Sequence, residues 1–336
     1  MRVLVSSDWV CAGVADALRR DNFEVAPIPE QVPADADLTS PAWRDLLSDA
    51  DIIVTSPYTR VSRAMMDQAP KLRAIMSAVI GVESIDLDAA GELGIIVGHG
   101  AMPENFLGMA EATVLCMLAA TLELQAKQRL LRENLPRPRQ LTARLLHGKM
   151  IGLIGMGRIG RAVVDRLQGW EVELQAYDPF VSDPYRGTRM VSFEQLLSSS
   201  DFVSMHVTLT ADTRHMMNEA AFKAMKPTAY FINTARGAVV DESAMHKALA
   251  ENWIAGAAVD AFETEPLPQE SRLREFLSAD NVILTPHIIG HTKDVMDAIP
   301  RVAVENVRHV ARGSIPLYTK NPRIEARWRE RLSKMR

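Results

Sequence analysis

Cysteine is nearly absent from this 336-residue chain, with Cys11 and Cys116 far apart in sequence. Two such residues build neither a disulfide framework nor a cysteine metal cluster. A basic excess is missing as well. The formal net charge is −4, and a nucleic-acid binder usually shows a basic balance or stripe. No run of about 18 or more apolar residues occurs, so no segment reads as a membrane span. The opening "MRVLVSSDWV" is short, β-rich and interrupted by Asp8, which suits a strand better than a signal peptide. There is no sequence repeat and no low-complexity segment. The expectation is a soluble, cytoplasmic protein with no nucleic-acid or membrane partner.

What is present is ordinary globular material, 47% hydrophobic and 24% charged. The length suggests about two domains. Residues 1–100 alternate short apolar runs ("RVLVS", "FEVAPI", "IIVTS", "LRAIMSA", "GIIVGH") with helical patterns, which implies parallel strands and crossover helices. Residues 104–133 form one long helical pattern, apolar nearly all round at its start, ended by Pro136 and Pro138. A second α/β series begins at residue 149. Its strand candidates are "KMIGLIG", "VELQAYD", "FVSMHV", "AYFINTA", "GAAVDAF" and "NVILTP". After Thr292 a further helical pattern runs to Gly313 and is expected to return to the first unit. The tail "RIEARWRERLSKMR" carries six Lys or Arg and two Glu and is expected to be a solvated terminal helix or a frayed end.

The segment "IGLIGMGRIGRAV" places Gly155, Gly157 and Gly160 in G-x-G-x-x-G spacing between a strand and an amphipathic helix. In that context the first glycine permits a tight turn, the second lets backbone approach a pyrophosphate, and the third lets helix pack on strand. The helix N-terminus adds free N–H groups and partial positive charge. Asp178 ends the next strand, 18 residues beyond Gly160, where a carboxylate accepts bonds from a ribose diol and repels a 2′-phosphate. NAD is therefore expected over NADP. A glycine turn without ligand and an S-adenosylmethionine site share this pattern and stay open at this point.

Ligands in an open α/β sheet sit outside the carboxyl ends of its strands. The residues following the later strands are Arg236 in "NTARG", Glu265 in "ETEPLP" and His287 in "ILTPHIIGHT", with Asp260 inside the fifth strand. Reduction of a 2-keto acid uses these types. Arg supplies a planar fork for the carboxylate. His supplies a proton near neutral pH. A carboxylate partner orients the His and favours its charged form. Each residue alone has a bland reading as a structural or solvated group, but three together at successive strand ends favour catalysis. A zinc pair of His287 and His291 is disfavoured, because Pro286 and Gly290 oppose a helix there and no third ligand follows.

At these residues the chain resembles the D-isomer-specific 2-hydroxyacid dehydrogenases. "LHGKMIGLIGMGRIGRAV", "NTARGAVVDE", "AVDAFETEPLP" and "ILTPHIIGHT" match that family's signatures in order and spacing. The resemblance implies two Rossmann-like doubly wound parallel-sheet α/β domains. A NAD-binding domain at 101–292, with an interdomain and dimerisation helix at about 104–133, would be inserted into a flavodoxin-like substrate domain at 1–100 and 293–336. It implies Arg236, Glu265 and His287 as the catalytic set. Cofactor contacts would come from Gly155, Gly157, Arg158, Ile159, Gly160, Asp178, Val207, Thr234, Ala235, Arg236, Asp260, His287 and Gly290. Substrate contacts would come from Ile80, Gly81, Asn105 and Arg236. A homodimer acting on a small 2-keto or 2-hydroxy acid, with no metal, is the resulting expectation. The departures concern the substrate. Val79 stands where the family often has Gly, Val207-Thr208-Leu209 replaces a Pro-containing run, and Ile289 stands where a small residue is frequent. No Arg lies between Thr55 and Thr59, which argues against a phosphorylated substrate. The competing functions are a non-enzymatic NAD(H)-sensing module and a phosphite-type dehydrogenase of the same fold.

Overall fold

The computed structural model describes residues 1–29, 31–32 and 36–335. The chain divides into two compact units, Met1–Glu104 with Thr292–Arg336, and Asn105–His291. Each carries a sheet in which all strand pairings are parallel.

In the first unit, β1 (Arg2–Ser6), β2 (Glu24–Ile28), β3 (Ile52–Thr55), β4 (Ala74–Ser77) and β5 (Ile96–His99) lie in the order β2-β1-β3-β4-β5. The connecting helices are α1 (Val14–Arg20), α2 (Pro41–Leu47), α3 (Arg63–Asp67) and α4 (Leu87–Leu93). Every residue of β3, β4 and β5 is buried, because helices cover both faces of a parallel sheet. The two-residue period still sorts the side chains. Val3, Val54 and Met76 enter one apolar cluster, while Leu4, Ile53 and Ile75 enter another.

The second unit begins within α5 (Pro103–Thr121) and goes on to α6 (Leu124–Arg132). It continues through β6 (Met150–Ile154), α7 (Arg158–Arg166), β7 (Glu173–Tyr177), β8 (Arg189–Met190), α8 (Phe193–Ser199), β9 (Phe202–Met205), α9 (Glu219–Ala224), β10 (Tyr230–Asn233), α10 (Glu242–Ala250), β11 (Gly256–Val259) and β12 (Val282–Leu284). The strand order is β12-β11-β10-β9-β6-β7-β8. The six expected strands are all present, and β8 adds a two-residue seventh.

The single long helix expected over 104–133 is instead two, meeting at a 62° bend. Glu123 takes a left-handed conformation (φ 52°) at the break, which interrupts the i→i−4 ladder. The first half packs Ala110, Cys116 and Met117 into the core, and the second half buries none of its residues. Among the described residues no single helix is long and apolar enough to cross a membrane.

The chain then re-enters the first unit. There α11 (Lys293–Ala311), capped by the Thr292 side chain, contributes Val295, Ile299 and Val307 to the same cluster as Val3. The tail is helical, as one of the two expectations had it, but it is anchored rather than solvated. It forms α12 (Glu325–Lys334), and Trp328 is fully buried with its indole N–H donating to the Arg73 carbonyl at 2.8 Å. Arg331 donates to the carbonyls of Leu72, Leu93 and Pro70. Just upstream, Asn321 bonds the Val97 amide and the Ile95 carbonyl, and Thr319 bridges Gly98 antiparallel. The tail therefore covers the free edge of β5, which would otherwise present unpaired backbone groups. A charge count alone could not see one tryptophan anchoring an otherwise polar helix. The last residue, Arg336, lies outside the described residues.

Candidate active site

The sheet of the second unit reverses direction at β6, its first strand, with β7 on one side and β9 on the other. Such a switch point leaves a crevice at the carboxyl ends of the strands. The glycine loop sits in it. Gly155 has φ 101°, and a Cβ there would lie 2.7 Å from the His206 carbonyl oxygen and 3.1 Å from Val207 Cγ1. A Cβ on Gly160 would lie 2.2 Å from the Gly155 carbonyl oxygen. Both glycines are thus required for close packing. A Cβ on Gly157 would meet nothing within 4 Å, so this glycine faces open space at the start of α7, where a phosphate can approach backbone. Asp178 accepts the Met156 amide through Oδ2 and the Phe180 amide through Oδ1, each at 2.9 Å. It braces the glycine loop and retains lone pairs for a diol. Arg158 lies 5.4 Å from the Phe106 ring centre, and Ile159 packs into the core. These features fit a dinucleotide.

Moving outward from β9, the ends of β10, β11 and β12 carry the remaining groups. Thr234 is buried and faces Thr113, with 3.3 Å between their hydroxyl oxygens. Asn233 is fully buried, accepts the Ala235 amide and donates to the Arg236 carbonyl. It fixes the turn that bears Arg236, and its signal in the sequence is a polar residue ending an apolar strand. Gly237 follows, where a Cβ would lie 1.8 Å from the Phe262 carbonyl carbon. Backbone therefore meets backbone between the Arg236 turn and the segment leading to Glu265.

His287 Nδ1 lies 2.8 Å from both Oε1 and Oε2 of Glu265. Glu265 Oε1 also accepts the Phe262 amide at 2.9 Å. Burial pushes the Glu265 carboxyl up. The hydrogen bonds from His287 and Phe262, with the charges of His287 and Arg236, outweigh that and hold it below the usual range. The backbone at His287 is left-handed, with φ 58°, an uncommon conformation that costs free energy unless its surroundings enforce it. Asp260 enforces it. Its buried Oδ1 accepts the Thr285 hydroxyl at 2.6 Å and the amides of Ile288 and Ile289 at 3.1 and 3.2 Å. Gly290 completes the loop, since a Cβ there would strike Met109 Sδ at 2.0 Å. Ile289 packs with the cluster around Ala110 and Cys116. His291 caps the turn by donating its amide to the Ile288 carbonyl. Among the described residues no group of three or more His, Cys, Asp and Glu is arranged to hold a metal.

Besides Arg236, three candidate substrate residues remain. In the first unit, Ile80 and Gly81 follow β4, and the Gly81 carbonyl accepts the Ser77 hydroxyl at 2.5 Å. Asn105 is on the first turn of α5 in the second unit.

A parallel sheet with a glycine loop at its switch point, and a histidine–carboxylate pair beyond it, defines a dinucleotide-dependent oxidoreductase. The sequence profile described as "D-isomer specific 2-hydroxyacid dehydrogenase, NAD binding domain" matches residues 114–288. A glyoxylate reductase of Thermofilum pendens is 38% identical over 80% of this chain and 81% of its own. A D-3-phosphoglycerate dehydrogenase of Methanocaldococcus jannaschii is 36% identical over 90% of this chain, which spans 57% of that protein. The crystal structure of a D-lactate dehydrogenase from Aquifex aeolicus with NAD and lactic acid superposes with a TM-score of 0.80 at 28% identity, covering 93% of this chain and 96% of that one. The chain belongs to the D-isomer-specific 2-hydroxyacid dehydrogenase family. It is an NAD(H)-binding oxidoreductase of the class acting on CH–OH donors.

Proposed function

We propose that the protein interconverts a small 2-keto acid and its D-2-hydroxy acid, as a cytoplasmic homodimer that uses NAD(H) in preference to NADP(H). The observation that carries this reading is the 2.8 Å pairing of His287 Nδ1 with both oxygens of Glu265, at the strand ends of the sheet that holds the glycine loop. The glycine loop residues Gly155, Gly157, Arg158, Ile159 and Gly160 would hold the dinucleotide, with Asp178, Val207, Thr234, Ala235, Asp260 and Gly290. Bound NADH supplies the hydride that reduces the carbonyl carbon.

The chain's own part is positioning and proton transfer. With Nδ1 bound to Glu265, His287 has Nε2 left as the atom that exchanges a proton with substrate. As the carbonyl π bond breaks, its oxygen takes the Nε2 proton and the imidazolium becomes neutral. Solvent restores the proton, and oxidation runs the same steps in reverse. Glu265 stabilises the imidazolium and fixes its orientation. Arg236 is the planar donor for the substrate carboxylate. Ile80, Gly81 and Asn105 are proposed substrate contacts by family resemblance. Asp178 favours NAD, because its charge opposes a 2′-phosphate. Exposed Leu115, Leu122, Leu131, Leu141 and Leu145, on and after α5, support the dimer.

The test is NADH consumption with glyoxylate, hydroxypyruvate, pyruvate, longer 2-keto acids and a phosphorylated 2-keto acid. Turnover of at least one is expected, with the unphosphorylated acids preferred. No turnover of any, together with NADH-dependent capture of a protein partner, would replace this reading with that of a sensing module. Phosphite oxidation would replace it with that of the phosphite-type enzyme.

A further inference from the structure

Three carboxylates crowd the segment that carries Glu265. Glu263 precedes it by two residues, and Glu242 begins α10. The Glu263 amide donates to Glu242 Oε1 at 2.7 Å, and the Glu242 amide donates to Glu263 Oε1 at 3.4 Å. Each side chain thus accepts the other residue's main-chain N–H. One of those amides is a free N–H of the first turn of α10, where a carboxylate is favoured. Glu263 Oε2 also lies 3.0 Å from His215 Nε2 and 3.8 Å from Arg214 Nη2. His215 is itself anchored, its amide donating to the Ala238 carbonyl. The arrangement joins three segments, 214–217, 236–242 and 262–265.

The arrangement has an electrostatic cost. Burial holds the Glu242 carboxyl above its usual range, and the charges of Glu263 and Glu265 add to that. Glu242 therefore lies half-buried beside two like charges, which disfavours its ionised form. Local rules are broken in this way where a site needs it. The beneficiary is identifiable. The Glu263 main chain abuts Gly237 so closely that a Cβ there would lie 2.4 Å from the Glu263 nitrogen. The neighbouring Phe262 amide bonds the same Glu265 oxygen that receives His287.

We propose that Glu242 and Glu263 form a reciprocal clamp, braced by His215, which holds the Phe262–Glu265 segment so that both Glu265 oxygens meet His287 Nδ1. They are positioning residues, since neither touches His287. This inference rests on the proposed roles of Glu265 and His287, and its test separates the two.

The test compares Glu263→Ala, Glu263→Gln and Glu242→Ala in the full-length protein, with histidine labelled by nitrogen-15. Releasing the segment by a fraction of an ångström should lower kcat about 10- to 100-fold in both alanine variants. The KM for NADH should stay within about twofold, because the dinucleotide loop is untouched. Glu263→Gln keeps an oxygen for the Glu242 amide and should recover most of the loss. The hydrogen-bonded proton on His287 Nδ1 should resonate far downfield in the wild type and in Glu263→Gln, and move upfield in both alanine variants. An unmoved proton with near-normal kcat in either alanine variant overturns the clamp. So does a loss that glutamine does not recover. If the wild type turns over none of the acids, the functional reading fails and the proton resonance alone decides the clamp.

Discussion

Replacing Glu265 by Gln keeps the side chain's shape and removes its charge. In the native protein two oxygens serve His287 Nδ1, each at 2.8 Å, and one of them also accepts the Phe262 amide. Glutamine offers one oxygen for both donors. A hydrogen bond to a charged group contributes about 1.5–3 kcal/mol and a neutral one about 1 kcal/mol. The difference, about 0.5–2 kcal/mol, corresponds to roughly a 2- to 30-fold loss of kcat at about 1.4 kcal/mol per factor of ten. Glu265→Ala leaves both N–H groups unpaired in a half-buried place, which adds about 1–3 kcal/mol. The floor is set by His287→Ala, expected to lower turnover about 10²- to 10⁴-fold while NADH binding persists. Adding Glu265→Gln to His287→Ala should then cost almost nothing further, because the two act as one unit. The Glu265 carboxyl is held below its ordinary value of 4.5. Its charge is therefore complete above that pH and is lost only as pH falls through the lower folded value. The Gln effect is therefore compared from about pH 6 to 8, where the native carboxylate is fully charged. Steady-state NADH oxidation with the best substrate is the assay. A Glu265→Gln enzyme within about twofold of wild type across that range, or one that changes only the KM for NADH, would refute the assignment.

Asp178→Ala should weaken NADH binding and narrow the gap to NADPH, because it removes both the diol acceptor and the brace on the Met156 amide; an unchanged ratio of the two KM values would refute that role. Trp328→Ala should cost about 3–5 kcal/mol in urea unfolding of the first unit, as for other fully buried aromatics, whereas Trp328→Phe should cost about 1 kcal/mol for the lost indole bond to Arg73; a small effect of both would return the tail to solvent. Burial holds the His206 imidazole at about 4, below its usual 6.5, so the folded protein keeps it neutral while the unfolded chain takes up a proton. Stability from this group is complete above about pH 6.5 and falls as pH drops toward 4, and His206→Gln should flatten the change in urea midpoint between about pH 7 and 5.

Much of the molecule was legible in the chain. The strands of both sheets follow from β-branched runs between turn signals, because burial on both faces leaves an unbroken apolar pattern. The glycine spacing pointed to a nucleotide loop because a tight turn between a strand and a helix is a local feature of the chain. The clash at Gly160 is with the nearby Gly155 carbonyl, whereas the clash at Gly155 is with His206, which only the fold brings there. The left-handed break at Glu123 was not legible, since nothing in its neighbourhood marks a long helical pattern for interruption.

Arg236, Glu265 and His287 could be named from their places after successive strands, since a parallel sheet delivers every strand end to one edge. What holds them in order could not. Asn233 beneath the Arg236 turn, Asp260 under the strained His287 backbone, and the Glu242–Glu263 pair beside Glu265 act across gaps of three to twenty-nine residues. The anchoring of Trp328 at Arg73 spans 255. Residue types and local spacing, which set strand, turn and chemistry, are written in the sequence itself. Which polar side chain meets which distant amide depends on hydrogen-bond geometry within a few ångströms, and only packing of the whole chain decides that.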